Sequence, residues 1–195
     1  MIQALPAYTR IAAIVPCYSA RGDSTIIIAD DGNTTTLDSR VHAIIRRLAK
    51  TRAVDLAALR ARTRAVTERK NLEPLPLAPG LILVPVKVRQ PRVAGDTTIG
   101  YVNFHAVTAV CVNKNKPYQA TVTLSGKTEL PVLWTPATVN HQLALARLAA
   151  STAPTTQALA ASAFHENFPG YAPELLTLAV KLVDVFNEIL CMKQR

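Results

Sequence analysis

Short apolar runs rich in β-branched residues open the chain. Residues 11–15 and 24–29 have this composition, and the turn-forming cluster at 19–23 lies between them. Runs of this kind, bounded by Gly, Asp and Ser, are typical of strands. We therefore expect an N-terminal pair of adjacent strands, followed by a turn at 30–33, where Gly32 tolerates a positive φ angle.

The next segment has the periodicity of an amphipathic helix. Its apolar residues occur at i, i+3, i+4 and i+7, namely Val41, Ile44, Ile45 and Leu48. Asp38 or Ser39 is the candidate N-cap. Asp55 is a candidate cap for a second segment, 56–64, whose alternating arginines suit a solvent-facing strand edge as well as a helix. A helix-turn-helix pair is therefore one interpretation of this region, and a basic strand edge is the other.

Strand patterns dominate the second half of the chain. A proline-rich connector at 74–80 is expected to separate this half from the basic first half. The apolar strand at 81–88 contains Pro85, which predicts a sheet edge or a bulge at that position. Strand-like segments joined by turns then predict a β-meander: 100–112, 118–124, which alternates well, and 128–133.

Helical patterns return toward the C-terminus. Residues 138–150 predict a helix, and 173–192 predict a longer one that is apolar over more than half its surface. We expect the longer helix to bury this surface in the core or against a second chain. The sequence thus predicts an α+β fold with an antiparallel β-meander core, an N-terminal strand pair, a basic helix and C-terminal helices. Residues 1–150 are assigned to one α+β domain, and 151–195 to a helical extension that is a candidate for oligomerisation.

Positive charge is concentrated in one window of the chain. Ten of the 22 Lys and Arg residues fall within 40–70, where only Asp55 and Glu68 oppose them. This window therefore carries most of the formal net charge of +9. Acidic partners at helical spacing are almost absent, and a nucleic-acid backbone is the commonest partner of such a surface. We expect phosphate contacts from its basic residues: Arg46, Arg47, Lys50, Arg52, Arg60, Arg62, Arg64, Arg69 and Lys70.

A second polar cluster follows the apolar strand of the second half. Its members are Lys87, Arg89, Gln90 and Arg92. In the major groove an amide pairs with adenine and a guanidinium with guanine, so this cluster is the predicted site of base readout. Pro91 stiffens the loop and lowers the entropic cost of ordering it on a ligand. Residues 1–150 are therefore predicted to be a DNA-binding domain.

The aromatic content decides which nucleic acid fits best. Aromatic residues make up 5% of the chain and do not interleave with the basic window. Single-strand platforms and RNA-recognition sheets need exposed rings for base stacking, so both are disfavoured. Double-stranded DNA is the favoured partner. An RNA- or ribosome-associated protein that uses the same basic face is the alternative.

The residue pattern favours a binding protein over an enzyme. The four histidines lack metal-binding spacing, and there is no glycine-rich phosphate loop. The pair Asp30 and Asp31 adjoins Gly32, which predicts a turn. Asp96 with Glu129, near Lys127, leaves a nuclease as the third hypothesis. We expect no catalytic site, no cofactor and no metal.

Cysteine usage and hydropathy bear on the compartment. The three cysteines, Cys17, Cys111 and Cys191, are widely spaced and odd in number, which is unlike a disulfide framework. No run reaches the roughly 18 to 20 apolar residues that a membrane span needs. We therefore expect a cytoplasmic protein with no membrane association.

Part of the second half resembles a known family. Residues 72–148 contain, in order, Leu75-Pro-Leu77, Leu81-Ile-Leu-Val84, a basic loop, Gly100-Tyr-Val-Asn-Phe-His-Ala-Val107, Ala120-Thr-Val-Thr-Leu-Ser-Gly-Lys-Thr-Glu-Leu-Pro-Val132, His141-Gln142 and Arg147. This order is similar to that of the competence transcription factor family, ComK. Residues 100–145 also resemble a LytTR-type DNA-binding domain, in which a Tyr-Val-Asn segment precedes a β-hairpin and a final helix. The resemblance implies a transcription activator that binds DNA as a dimer or tetramer and is removed by an adaptor and a protease.

Overall fold

The computed structural model describes residues 6–20, 22–68 and 71–151. Within these residues the chain forms nine β-strands and three α-helices. In chain order they are β1 (Ile11–Ser19), β2 (Gly22–Ala29), β3 (Thr34–Leu37), α1 (Val41–Thr51), α2 (Leu56–Thr67), β4 (Leu75–Ala78), β5 (Leu81–Lys87), β6 (Ile99–Asn103), β7 (Val107–Val112), β8 (Ala120–Leu124), β9 (Glu129–Val132) and α3 (Pro136–Ser151). The predicted α+β class is confirmed.

Six antiparallel strands form one sheet in the order β3-β2-β1-β6-β5-β4. The predicted N-terminal strand pair is present as β1 and β2. Because β1 also pairs with β6, strands from both halves of the chain are neighbours in this sheet. The predicted separation of the two halves at 74–80 is therefore wrong. That segment contains β4, the outer strand of the sheet. Pro76 suits this position because an outer strand has no neighbour on one side, so a residue without an N–H need not break a hydrogen bond of the sheet.

Pro85 lies within β5, opposite Tyr101 of β6. On the other side of β5, β4 pairs with Leu81, Ile82 and Leu83, so the ladder between these strands ends before the proline. Pro85 thus lies at a local edge, as its sequence context predicted.

The predicted strand at 100–112 is two strands in two different sheets. It is interrupted by a 3-10 turn at Phe104–Ala106. The buried Asn103 side chain holds this break, because its Oδ1 accepts from His105 N at 3.3 Å while its Nδ2 donates to Ile11 O and Gly80 O. After the turn, β7, β8 and β9 form the predicted meander as a separate three-stranded sheet.

The six-stranded sheet is buried on both faces. Ile14, Ile27 and Leu83 belong to a core cluster with the apolar side of α1. The residues next to them in the sequence are Ala13, Ile28 and Val84. These belong to a second core cluster, which also contains residues of β8, β9 and α3. Side chains alternate between the faces of a strand, and a sheet covered on both faces has nearly continuous apolar strands. This explains the apolar runs that marked β1, β2 and β5 in the sequence.

The two basic helices differ in how they begin. Arg40 occupies the N-cap of α1 and makes no side-chain capping bond, so the predicted caps Asp38 and Ser39 are wrong. Asp55 caps α2 as predicted, because its Oδ1 accepts from Ala57 N at 2.8 Å and from Ala58 N at 3.4 Å. Since α2 continues to Thr67, the alternative of a basic strand edge is also wrong.

α3 buries Val139, Gln142, Ala146 and Ala149 along one side. The chain divides into two units after Ser151, which is also the last described residue. The predicted extension at 151–195, including the helix at 173–192, therefore lies almost wholly outside the described residues. Among the residues that the structure describes, no helix is both long and apolar enough to span a membrane.

Candidate nucleic-acid interface

α1 presents basic side chains away from the sheet. The apolar residues Val41, Ile44, Ile45 and Leu48 face the core, which leaves Arg46 and Lys50 exposed one turn apart on the opposite side. The helix contains no acidic residue. Arg47, beside Arg46, is partly buried. α1 is therefore a helix whose exposed surface is strongly cationic.

Arg52 extends this surface past the end of α1. Its guanidinium carbon lies 4.2 Å from the centroid of the Tyr8 ring, which orients the group without neutralising its charge. A cation near a helix C-terminus is also favoured by the helix dipole. Arg46, Lys50 and Arg52 together make the C-terminal end of α1 cationic.

His42 lies near cations of both α1 and α2. Partial burial lowers its pKa, and the nearby charges of Arg60 and Arg46 lower it further. A histidine next to two arginines is harder to protonate because the new charge would be repelled. The cations of α1 and α2 thus act together at this position.

Two of the predicted phosphate ligands on α2 have a partner inside the protein. The Glu73 side chain is only 5% exposed, and its Oε1 lies 3.1 Å from Arg64 Nη2 and 3.6 Å from Arg60 Nε. Glu73 follows the basic window in the sequence, so the local pattern did not indicate this pairing. Arg62, between the two, remains exposed. Arg69 and Lys70 lie outside the described residues.

Arg89, a predicted base-reading residue, is enclosed. Its side chain is 12% exposed, and its Nη2 donates to Asp23, whose side chain is 7% exposed. Its Nε donates to Thr97 O at 2.7 Å, and its guanidinium lies 3.9 Å from the centroid of the Tyr18 ring. Burial alone would raise the pKa of Asp23, but the hydrogen bonds from Arg89 and Thr97 outweigh it, so the pKa is lowered. Arg89 holds the loop together and is poorly placed to reach a base.

The rest of the loop is folded around Tyr18. The Arg92 guanidinium lies 4.2 Å from the centroid of the Tyr18 ring, and the Tyr18 hydroxyl donates to Asp96. Asp96 also accepts from Arg92 N at 2.9 Å and from Val93 N at 3.1 Å. The hydrogen bond from Tyr18 and these backbone donors lower the pKa of Asp96. Gln90 and Arg92 are exposed on this ordered loop, whereas Lys87 is half-buried.

The loop cluster lies at the start of α1, whereas Arg52 of the basic window lies past its end. At its start, Arg40 Nε is 3.9 Å from Asp23, the residue that also binds Arg89. Past its end, Arg52 stacks on Tyr8. At 1.5 Å per residue, the 11 residues of α1 separate these ends by about 16 Å. The loop cluster and Arg52 therefore lie near opposite ends of α1.

The carboxylates considered for catalysis have structural partners. Arg10 binds both Asp30 and Asp31, and Asp31 Oδ1 accepts from Asn33 N at 3.0 Å, as expected for the predicted turn. Asp96 closes the loop described above, and Glu129 lies on β9 in the other sheet. Within the described ranges, no group of three or more His, Cys, Asp or Glu side chains is arranged to hold a metal ion.

Comparison of the chain with protein-family models, with curated proteins and with solved structures found no match. The resemblance to the ComK and LytTR families therefore stays a prediction. Sequence reasoning also missed Tyr8, Tyr18, Asp23 and Glu73, which position the arginines. Each is distant in the sequence from at least one arginine that it holds, so no local spacing could have indicated it.

Proposed function

We propose that this protein binds double-stranded DNA through the exposed face of α1 and acts as a cytoplasmic transcription regulator. The observation that carries the proposal is the exposed positive charge of this helix, which has Arg46 and Lys50 on its outer side and no acidic residue. Basic side chains on a rigid element neutralise phosphates and release counterions, which supplies affinity for any duplex. We take Arg52, past the end of α1, and Arg62, exposed on α2, as further phosphate contacts.

Specificity is proposed to come from the loop at the other end of α1. Gln90 and Arg92 are exposed there, and Tyr18, Asp23 and Asp96 hold the loop in one shape. An ordered loop loses little entropy on binding, so an amide and a guanidinium on it can discriminate base pairs. Arg89 serves as a positioning residue in this proposal. The further assignment to a competence-type activator, acting as an oligomer under an adaptor and protease, rests on the family resemblance alone.

The test is a competition between nucleic acids. A fluorescent 30-base-pair DNA duplex is titrated with the full chain, and unlabelled DNA duplex, RNA duplex and single strands are added in turn. We expect the DNA duplex to compete best. An RNA duplex that competes at least tenfold better would support the RNA- or ribosome-associated alternative, and no binding to any of them at low salt would refute nucleic-acid binding.

A further inference from the structure

The outer edge of β3 is unpaired in the part of the chain that the structure describes. β3 is the last strand of the six-stranded sheet and pairs only with β2, on its inner side. Ala29 N donates to Asn33 O at 2.8 Å, and bonded and non-bonded residue pairs alternate from this point along the two antiparallel strands. Thr35 therefore bonds to β2, whereas Thr34 and Thr36 direct their backbone N–H and C=O groups outward.

Space for a further strand remains beside β3. Thr34, Thr35 and Thr36 are all exposed, and the register of β3 with β2 contains no bulge. No other helix or strand of the described residues packs extensively against β3. The chain that follows β3 turns back over β2, where Thr25 Oγ1 donates to Ser39 O at 2.5 Å. The segment leading to α1 therefore does not run along the outer edge.

The other outer strands are protected against pairing in ways that β3 is not. α3 packs against both β4 and β7, and β9 contains Glu129 and Pro131. The sequence of β3, Thr-Thr-Thr-Leu, contains neither a charge nor a proline. Covering elements, charges and prolines are the usual means by which proteins prevent edge strands from pairing, and shortness is another. β3 has only its length of 4 residues, which makes pairing weak but does not prevent it.

The outward groups of β3 are complementary to those of a second copy of the chain. When two β3 strands run antiparallel with Thr34 of each opposite Thr36 of the other, every outward N–H faces an outward C=O. A two-fold axis then passes beside Thr35, and the two Thr35 side chains face each other across it. Cross-strand pairs of threonines are favourable on a sheet surface. The same short strand thus supplies both halves of a closed interface.

This pairing also determines where the α1 helices lie. A two-fold axis between antiparallel neighbours runs perpendicular to the sheet, so both copies turn the same face to the same side. α1 packs on the face that contains Leu37 and Ile27. Both α1 helices would therefore lie on one side of the joined sheets, with Arg46 and Lys50 of each exposed.

We propose that β3 pairs with β3 of a second copy and that the resulting dimer offers both α1 helices to one DNA duplex. The pairing stands on the geometry of β3, whereas its use on DNA rests on the proposed function. A contact between such short strands buries little surface, so the dimer of the free protein is weak. A duplex that binds both copies raises their effective concentration and completes the pairing.

The first test measures dimerisation of the full chain without DNA. Sedimentation velocity over a range of protein concentrations should show a mass that rises with concentration. T35K and T35E each place like charges across the axis, and each should weaken dimerisation at least about tenfold. Mixing T35K with T35E should restore the dimer. T108K, which makes the same change at an exposed threonine of β7, should leave dimerisation unchanged.

Amide hydrogen exchange shows whether β3 forms the interface. The amides of Thr34 and Thr36 should become protected as the concentration of the wild type rises, but not in T35K. Exchange at one rate at every concentration, or a dimer that persists in T35K with these amides unprotected, would overturn the proposal. Protection of these amides in the monomer would also overturn it, because another segment of the same chain would then cover the edge.

Titration of a labelled duplex separates the pairing from the proposed function. The wild type should bind cooperatively. T36P removes an outward N–H but no bond to β2, so it should bind the same duplex without cooperativity. Equal cooperativity in T36P and wild type would overturn the use of the β3 dimer on DNA. A dimer that forms through β3 but binds no duplex would refute the proposed function and leave the pairing intact.

Discussion

The ion-pair cluster around Glu73 separates the arginines that stabilise the fold from those proposed to bind DNA. Arg60 and Arg64 are about a third and a half exposed, whereas Glu73 is 5% exposed. In the double variant R60Q/R64Q, the carboxylate of Glu73 loses both cationic partners and stays buried. Leaving a buried charge unpaired costs 3 to 5 kcal/mol in well-buried cases, and the partial exposure of the cluster reduces this to about 2 to 3 kcal/mol. E73Q removes the charge itself, and we expect it to cost about 1 to 2 kcal/mol.

The assay is urea unfolding of each variant, followed by circular dichroism. R62Q is the matched control, since Arg62 lies on the same helix between the two arginines but is exposed, and we expect a change within about 0.5 kcal/mol. Each variant is also titrated with duplex DNA. R62Q should weaken binding, whereas E73Q should leave it unchanged or strengthen it, because two guanidinium groups lose their internal partner.

One result would refute this assignment. If R60Q together with R64Q unfolded at the same urea concentration as the wild type but bound DNA far more weakly, these arginines would be phosphate ligands. The ion pairs with Glu73 would then contribute nothing measurable to stability.

Three further predictions concern stability. D23N should lower the free energy of unfolding by about 1 to 2 kcal/mol at pH 7, because Arg89 loses its anionic partner. Since the pKa of Asp23 is lowered in the folded state, the stabilisation exists above the ordinary value of 3.8 and disappears as the pH falls through the folded pKa, so unfolding curves of D23N and wild type should converge at acid pH. G126A should cost about 1 to 3 kcal/mol by thermal unfolding, because its Cβ would overlap the backbone nitrogen of Gly32. D55A should cost about 1 kcal/mol in the same assay through loss of the α2 cap.

Patterns that arise within one element were predictable from the sequence. The spacing of Val41, Ile44, Ile45 and Leu48 located α1, and the strand-like segments and turns of the three-stranded sheet located the β-meander. Asp55 marked the start of α2 because a cap acts on the next turn. In each case the decisive interaction is local, so the residues that make it are close in the sequence.

Relations between distant segments were not predictable in this way. The pairing of β1 with β6 joins residues almost 90 positions apart, and it places the proline-rich segment inside a shared sheet. Arg89 looked like an available base-reading group because Asp23 and Tyr18 lie far upstream. Glu73 likewise neutralises arginines on a preceding helix. Charge counts within a window therefore overestimate the cations that remain available for a ligand.

The most direct test of DNA binding through α1 is the dependence of duplex affinity on salt. If Arg46, Lys50, Arg52 and Arg62 each neutralise one phosphate, the logarithm of the association constant should fall with the logarithm of salt concentration at a slope of about −3.6. R46Q together with K50Q should reduce the slope to about −1.8. A slope near zero for the wild type, or an unchanged slope in the double variant, would contradict the proposal.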